Sequence, residues 1–164
     1  MAVTLKLERP TPSPDVFTRA DLEFRGVDHS GPSYEARVFF DNRRAGPDTP
    51  LDASAGYAGS FWVFGHGGCF GDLGHCDIPE GPRGVYDKRP PHPLTPQFKT
   101  VIVTEPLKRV LAISEADTLL VTVVSVVPET QVSRVPMKGD PLRFESLSLL
   151  THEEPPSGEP PEPP

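Results

Sequence analysis

The residues best suited to chemistry are two histidines and two cysteines within one short segment. His66, Cys69, His75 and Cys76 have the spacing H-x2-C-x5-H-C. Imidazole and thiolate groups bind zinc and copper, so the four side chains form a candidate metal site. The spacing matches no common structural zinc pattern, and a disulfide between Cys69 and Cys76, or two free thiols, is favoured over it. We therefore expect no cofactor, with copper or zinc at this loop as the alternative.

Two other segments contain residue types found in hydrolases but lack the arrangement that hydrolysis needs. Asp28, His29 and Ser30 are consecutive, and neighbours in sequence cannot face one another as a catalytic relay requires. The segment Gly56 to Ser60 lacks the G-x-S-x-G order of a nucleophile elbow. With no evident nucleophile, the sequence favours a protein that is not an enzyme.

A cluster of aromatic residues is the second feature that points to function. Three aromatic side chains within four residues cannot all face one side of a strand, so one face is buried. The other face is either covered by the long loop that follows or offered to a partner, where aromatic side chains act as anchors. The candidate partner-facing residues, including two at the tip of that loop, are Tyr57, Phe61, Trp62, Phe64, Phe70 and Leu73.

The elements that position these residues are short strands. The 22 prolines and 14 glycines are spread along all 164 residues and leave little room for long helices. Alternating and β-branched segments bounded by turn residues predict about seven strands, and helical spacing predicts one short helix over Glu105 to Ala112. The predicted strands are Val3 to Leu7, Leu22 to Val27, Tyr34 to Phe40, Tyr57 to Phe64, Phe98 to Thr104, Leu119 to Val127 and Leu142 to Leu149.

This pattern predicts an all-β fold, an antiparallel β-sandwich with a long Gly-rich loop from Gly65 to Arg89. Residues 1–152 are expected to form a single domain. Residues 153–164 consist of Glu, Pro, Ser and Gly only, so we expect a disordered tail that buries no apolar surface.

Charge and hydropathy exclude several classes of partner. The net charge is −7 and no basic cluster is present, which argues against binding to nucleic acid or to an anionic membrane. The segment from Met1 to Leu7 lacks the apolar stretch of a secretory signal, and no segment has the length of a membrane span. We expect a soluble protein, cytoplasmic by default.

The order of these elements resembles the C-terminal β-sandwich domain of tyrosinases and plant polyphenol oxidases. Tyr34 to Phe40 is similar to the family's K-F-D-V-type strand, and Tyr57 to Phe61 is similar to its A-G-S-F segment. A short helix with the paired Leu107 and Leu111 follows Lys99 to Val103. The run Asp117 to Val124 then resembles D-D-S-V-V-V-T-L-V. The loop Gly65 to Arg89 departs from the plant pattern.

The resemblance implies a non-catalytic domain that covers the dicopper site of a tyrosinase-like copper oxidase, shielding that site or stabilising the partner. A type-3 dicopper centre in that family uses six histidines, carried mainly by helices, whereas this chain has five, scattered over loops. Two alternatives to a covering or regulatory domain remain open: a metal-binding module that uses the His/Cys loop, and a structural or adhesive β-sandwich.

Overall fold

The alternating segments form seven β-strands in the computed structural model, which describes residues 2–11, 13–29, 31–65, 81–82, 84–86, 96–128 and 140–153. One α-helix and a single turn of 3-10 helix, Ala53–Ala55, complete the elements of this part of the chain. The strands and the helix are β1 Ala2–Glu8, β2 Phe17–Val27, β3 Tyr34–Phe40, β4 Tyr57–Val63, β5 Gln97–Ile102, α1 Thr104–Ile113, β6 Thr118–Val126 and β7 Ser146–Glu153.

The strands form two sheets in which every pair of neighbours is antiparallel. The four-stranded sheet has the order β1-β6-β3-β4, and the three-stranded sheet has the order β5-β2-β7. The two sheets pack around one main apolar core. The predicted all-β antiparallel sandwich is confirmed.

Alternation along the strands places their apolar side chains in this core. In β3, Tyr34, Ala36 and Val38 are buried on the inner face, because alternate residues of a strand face the same side. They meet Leu22 and Phe24, which β2 contributes to the same core. Each of these five side chains is almost wholly removed from solvent, so the packing of β3 against β2 is the centre of the domain.

The outer face of the four-stranded sheet is partly covered as well. Phe39 and Val124, which lie on that face, are buried together with Ala45 from the loop that joins β3 to β4. Arg37 holds this loop by donating a hydrogen bond from Nη1 to the Pro47 carbonyl at 2.8 Å. The loop explains why β6 is buried on both faces along most of its length.

The two sides of the sandwich differ. At the side formed by β4 and β5, the sheets approach so closely that a Cβ on Gly59 would lie 2.6 Å from Cγ1 of Val101. At the side formed by β1 and β7, the inner residues Val3, Leu5 and Leu7 are only half-buried. They line a groove of about 530 Å³ with the segment that leads into β7. The sandwich is thus closed at one side and open at the other.

Helix α1 packs across one end of the sandwich. Its apolar residues Leu107 and Leu111 are buried in the core, as their spacing of four predicts. The carboxyl end of the helix is held by Arg9, which donates hydrogen bonds to the carbonyl oxygens of Leu111 and Ser114. These carbonyls have no partner within a helix, so the guanidinium group acts as a C-terminal cap.

The last strand differs from its predicted position. β7 begins at Ser146, whereas Leu142 and Phe144 lie before it and still contribute to the core. Glu153, the first residue of the predicted tail, is the last residue of β7 and pairs with Phe17. Residues 154–164 lie outside the described part of the chain, so the disordered tail remains a prediction.

Candidate interaction surface

Strand β4 divides the predicted aromatic residues between its two faces. Trp62 lies opposite Glu35 on the outer face and is 50% exposed, and Phe64, directly after the strand, is 73% exposed. We call these two residues the aromatic pair. Phe61 faces the core, where its ring centroid is 4.7 Å from that of Phe24 and only 7% of the residue is exposed. Phe61 is therefore a core residue.

Tyr57 occupies an intermediate position at the beginning of β4. Its ring meets the buried Phe39 edge-on, with 5.6 Å between the ring centroids. A register shift between β3 and β4 at this point places both rings on the outer face of the sheet. Tyr57 thus supports the loop that covers this face and presents only part of its ring to solvent.

The charged groups beside the aromatic pair already bind one another. Arg37 Nε lies 2.8 Å from Glu35 Oε2, and both side chains are largely buried. Arg37 also donates to the Pro47 carbonyl, so its guanidinium is fixed on two sides. Because Glu35 is the cross-strand neighbour of Trp62, the indole lies beside a neutral ion pair, which suits contact with an apolar partner.

The loop after β4 lies almost entirely outside the described residues. This applies to the predicted plug residues Phe70 and Leu73, to the candidate metal ligands His66, Cys69, His75 and Cys76, and to the possible disulfide. The loop departs next to the aromatic pair, where the Gly65 amide donates to Ser33 Oγ at 3.0 Å. The metal, disulfide and plug assignments remain predictions.

The two described histidines, His29 and His152, do not belong to a cluster of metal-ligating side chains within the described residues. His29 is buried, with Nδ1 3.1 Å from Gln97 Nε2, and His152 Nε2 lies 3.3 Å from Asp21 Oδ2 on the outer face of the three-stranded sheet. Across the part of the chain that the structure describes, no three His, Cys, Asp or Glu side chains come together in a group that could hold a metal ion.

A groove beside helix α1 is a concave surface that sequence patterns did not predict. Its volume is about 580 Å³, and it lies between the second half of α1 and the wall formed by Ala53–Ala55 and Gly56. The one available signal was Ile113, an apolar residue that ends α1 outside its buried stripe and is 87% exposed.

The wall of this groove is held rigidly. Asp52 caps the 3-10 turn, and hydrogen bonds from Ser54 Oγ and the Ala55 amide hold the pKa of this carboxyl below its ordinary value. The turn ends at Gly56, whose φ of 78° lies in the left-handed region. A Cβ there would lie 2.3 Å from the Phe40 carbonyl oxygen, so only glycine allows the wall to approach β3.

Proteins of similar fold are found among solved structures. No family model and no curated protein matches the chain. Among solved structures, latent aurone synthase (polyphenol oxidase) from natural source matches with a TM-score of 0.53 at 16% identity. The recombinantly expressed latent enzyme matches with a TM-score of 0.51 at 18% identity. The chain is similar in fold to one part of a latent polyphenol oxidase.

The similarity to polyphenol oxidase covers very different fractions of the two chains. Each of these matches covers 94% of this chain but 25% of the polyphenol oxidase chain. This chain therefore spans about a quarter of the length of the enzymes it resembles. The resemblance predicted from the sequence is confirmed at the level of the fold. Within the described residues, no helix is both long and apolar enough to cross a membrane.

Proposed function

We propose that this chain is a non-catalytic covering domain of a tyrosinase-like copper oxidase. The observation that carries the proposal is the shared fold: the chain matches one quarter of a latent polyphenol oxidase over almost its own full length. A domain of this kind would bind the catalytic domain and restrict access to its dicopper site. The oxidation chemistry would belong to the partner.

The aromatic pair is the surface through which we propose that the domain binds its partner. An aromatic side chain buries about 150–250 Å² when fully covered, so the exposed parts of Trp62 and Phe64 together offer a few hundred Å². At about 25 cal/mol per Å², their burial would contribute about 5–7 kcal/mol before the costs of association are subtracted. Two such side chains are sufficient to form the centre of an interface.

The test uses this chain and a type-3 copper oxidase from the same organism. The two proteins are co-expressed, their association is followed by size-exclusion chromatography, and catechol oxidation is measured by oxygen uptake. We expect a stoichiometric complex that oxidises catechol more slowly than the free oxidase. The proposal would be refuted if the chain associated with no type-3 copper oxidase of that organism and changed the oxidation rate of none.

Removal of the aromatic pair should dissociate this complex. We expect the double variant Trp62→Ala, Phe64→Ala to fold normally, because both side chains are exposed, and to lose co-elution with the oxidase. Phe98→Ala is the matched control, since Phe98 is 51% exposed but lies on the other sheet. Equal loss of binding in the control would refute the assignment of this surface.

The plug prediction is tested separately from binding. If Phe70 or Leu73 blocks the entrance of the partner's site, then Phe70→Ala or Leu73→Ala should increase catechol oxidation by the complex while co-elution is retained. If both variants oxidise catechol at the unchanged rate, the plug prediction is wrong, but the proposed binding surface is not contradicted.

The metal-binding alternative has its own measurement. Elemental analysis of the reduced, purified chain should find less than about one tenth of an equivalent of copper or zinc if the loop binds no metal, because such ligands bind metals tightly. Stoichiometric metal that is lost in a His66→Ala, Cys69→Ala variant would favour the metal-binding module instead.

A further inference from the structure

The groove beside α1 has the size and lining of a small-molecule site. Its volume of about 580 Å³ falls in the range of ligand-binding clefts, which is about 300–1,000 Å³. Apolar groups from two separate segments line it: Tyr57 at the start of β4, and Pro106, Val110 and Ile113 from α1. Phe40 lies beneath them as a core residue that is only 2% exposed. Because hydrogen bonds to Asp52 hold the wall at Ala53–Ala55 in place, the groove exists before any ligand binds.

Most polar groups of the groove already have partners. Asn42 donates from Nδ2 to the Ala55 carbonyl and accepts from the Arg44 amide, so both ends of its side chain are occupied. Ser54 donates to Asp52, which caps the turn. Asp41 Oδ1 accepts from the Leu120 amide at 3.1 Å. These side chains form hydrogen bonds within the protein that stabilise the groove, so the proposed binding does not depend on them.

Arg109 differs from these groups. It lines the groove from α1 and is exposed, and within the described residues it forms no ion pair or hydrogen bond. Guanidinium groups bind carboxylates in a planar, two-point geometry. The Asp41 carboxylate in the same groove disfavours a ligand with more than one negative charge, such as a phosphate dianion. Arg109 can therefore bind one carboxylate, whereas Asp41 disfavours a second negative charge on the ligand.

We propose that the α1 groove binds a small organic acid, a single carboxylate on an apolar body, with the carboxylate on Arg109 and the body against Tyr57, Val110 and Ile113. This site is independent of the proposed oxidase partner, because the aromatic pair does not line the groove. Binding can therefore be tested with the chain alone.

The test compares an acid with its neutral analogue. Backbone amide NMR spectra of the full chain are recorded during titration with 4-phenylbutyrate and with 4-phenylbutyramide at low ionic strength. We expect shifts at residues 53–57 and 109–113, and an affinity for the acid about two- to fivefold higher than for the amide, as an exposed ion pair provides. Equal affinities, or shifts confined to other residues, would overturn the proposal.

Variants assign this preference to the guanidinium group. Arg109→Gln should bind the acid and the amide equally, whereas Arg109→Lys should keep part of the preference. Arg25→Gln removes a positive charge from the outer face of the three-stranded sheet and should leave the preference unchanged. A preference that survives in Arg109→Gln would overturn the role of Arg109, and so would its loss in Arg25→Gln.

Discussion

At the scale of single residues, two buried polar atoms lack a hydrogen-bond partner within the described part of the chain, Gln97 Oε1 and the Tyr34 hydroxyl. Tyr34 is the more deeply buried of these two residues, with 1% of its surface exposed. Burial, with Asp28 and Asp140 adding to it, raises the pKa of Tyr34 well above its ordinary value of 10.0. The phenol is therefore kept neutral in the folded protein, where it contributes its ring to the core but gains nothing from its oxygen.

Replacement of this residue should show that the hydroxyl is dispensable. We expect Tyr34→Phe to leave the free energy of unfolding unchanged or to raise it by up to about 1 kcal/mol, because it removes a desolvated group that forms no bond. Tyr34→Ala, which also removes the ring, should cost about 3–5 kcal/mol. Urea denaturation measures both. A loss of more than about 1 kcal/mol in Tyr34→Phe would mean that the hydroxyl has a partner.

The difference in unfolding free energy between the wild type and Tyr34→Phe should depend on pH, and its sign follows from the raised pKa of Tyr34. Because the folded-state pKa of Tyr34 is raised, the stability that its neutral form provides is present below pH 10 and is lost as the pH rises above that value. Tyr34→Phe has no such group, so the difference in stability between the two proteins should grow in favour of the variant at alkaline pH.

The residue scale also shows where sequence analysis reached its limit. Three aromatic residues in four positions predicted that β4 would divide its rings between two faces, and it does. The assignment of Phe61 to the core and Trp62 to the surface depends on how β4 pairs with β3. That pairing is decided by residues far apart in sequence and not by a local pattern.

At the scale of elements, Arg9 links the loop after β1 to the end of α1. Its guanidinium donates to carbonyls that the helix leaves without partners, at a distance of more than one hundred residues along the chain. A helix of ten residues is too short to be stable by itself, so this cap and its buried leucines hold it in place.

Loss of the cap should therefore destabilise the domain. We expect Arg9→Ala to lower the free energy of unfolding by about 1–3 kcal/mol, the value of hydrogen bonds to a charged group. Arg9→Lys retains the charge but not the fork of donors, so it should recover only part of this loss. Thermal denaturation followed by circular dichroism provides the measurement. Equal stability of Arg9→Ala and the wild type would contradict the capping role.

The elements were more predictable than their boundaries. Alternation and turn residues predicted seven strands and a helix, because each of these signals is local. The predicted start of the last strand, at Leu142, was wrong because Leu142 and Phe144 contribute to the core without belonging to a strand. The α1 groove could not be predicted, since α1 and the wall at Ala53–Ala55 come from distant parts of the sequence and meet only in the folded protein.

At the scale of the whole molecule, the closed side of the sandwich depends on Gly59. Its φ of 142° is rarely adopted by other residues, and an added Cβ would clash with the buried Val101. The absence of a side chain at this position allows β4 of one sheet to lie against β5 of the other. The interaction surface on β4 is thereby fixed relative to the core.

Addition of one methyl group here should force the sheets apart. We expect Gly59→Ala to lower the free energy of unfolding by about 2–4 kcal/mol, from backbone strain and overpacking together. Gly46→Ala is the matched control, because a Cβ there meets no atom within 4 Å, and it should change stability by less than about 0.5 kcal/mol. Similar losses in the two variants would contradict this account of the closed side.

The pairing of β1 with β6 has a consequence for how the protein reaches its fold. The hydroxyls of Thr4 and Thr122 lie 3.2 Å apart across these strands, although 118 positions separate them in sequence. β6 also separates β1 from β3, so β1 has no neighbouring strand in its sheet until β6, more than one hundred residues later in the sequence, has been synthesised. Closing so long a loop carries a high entropic cost, and β1 should be among the last strands to dock during folding.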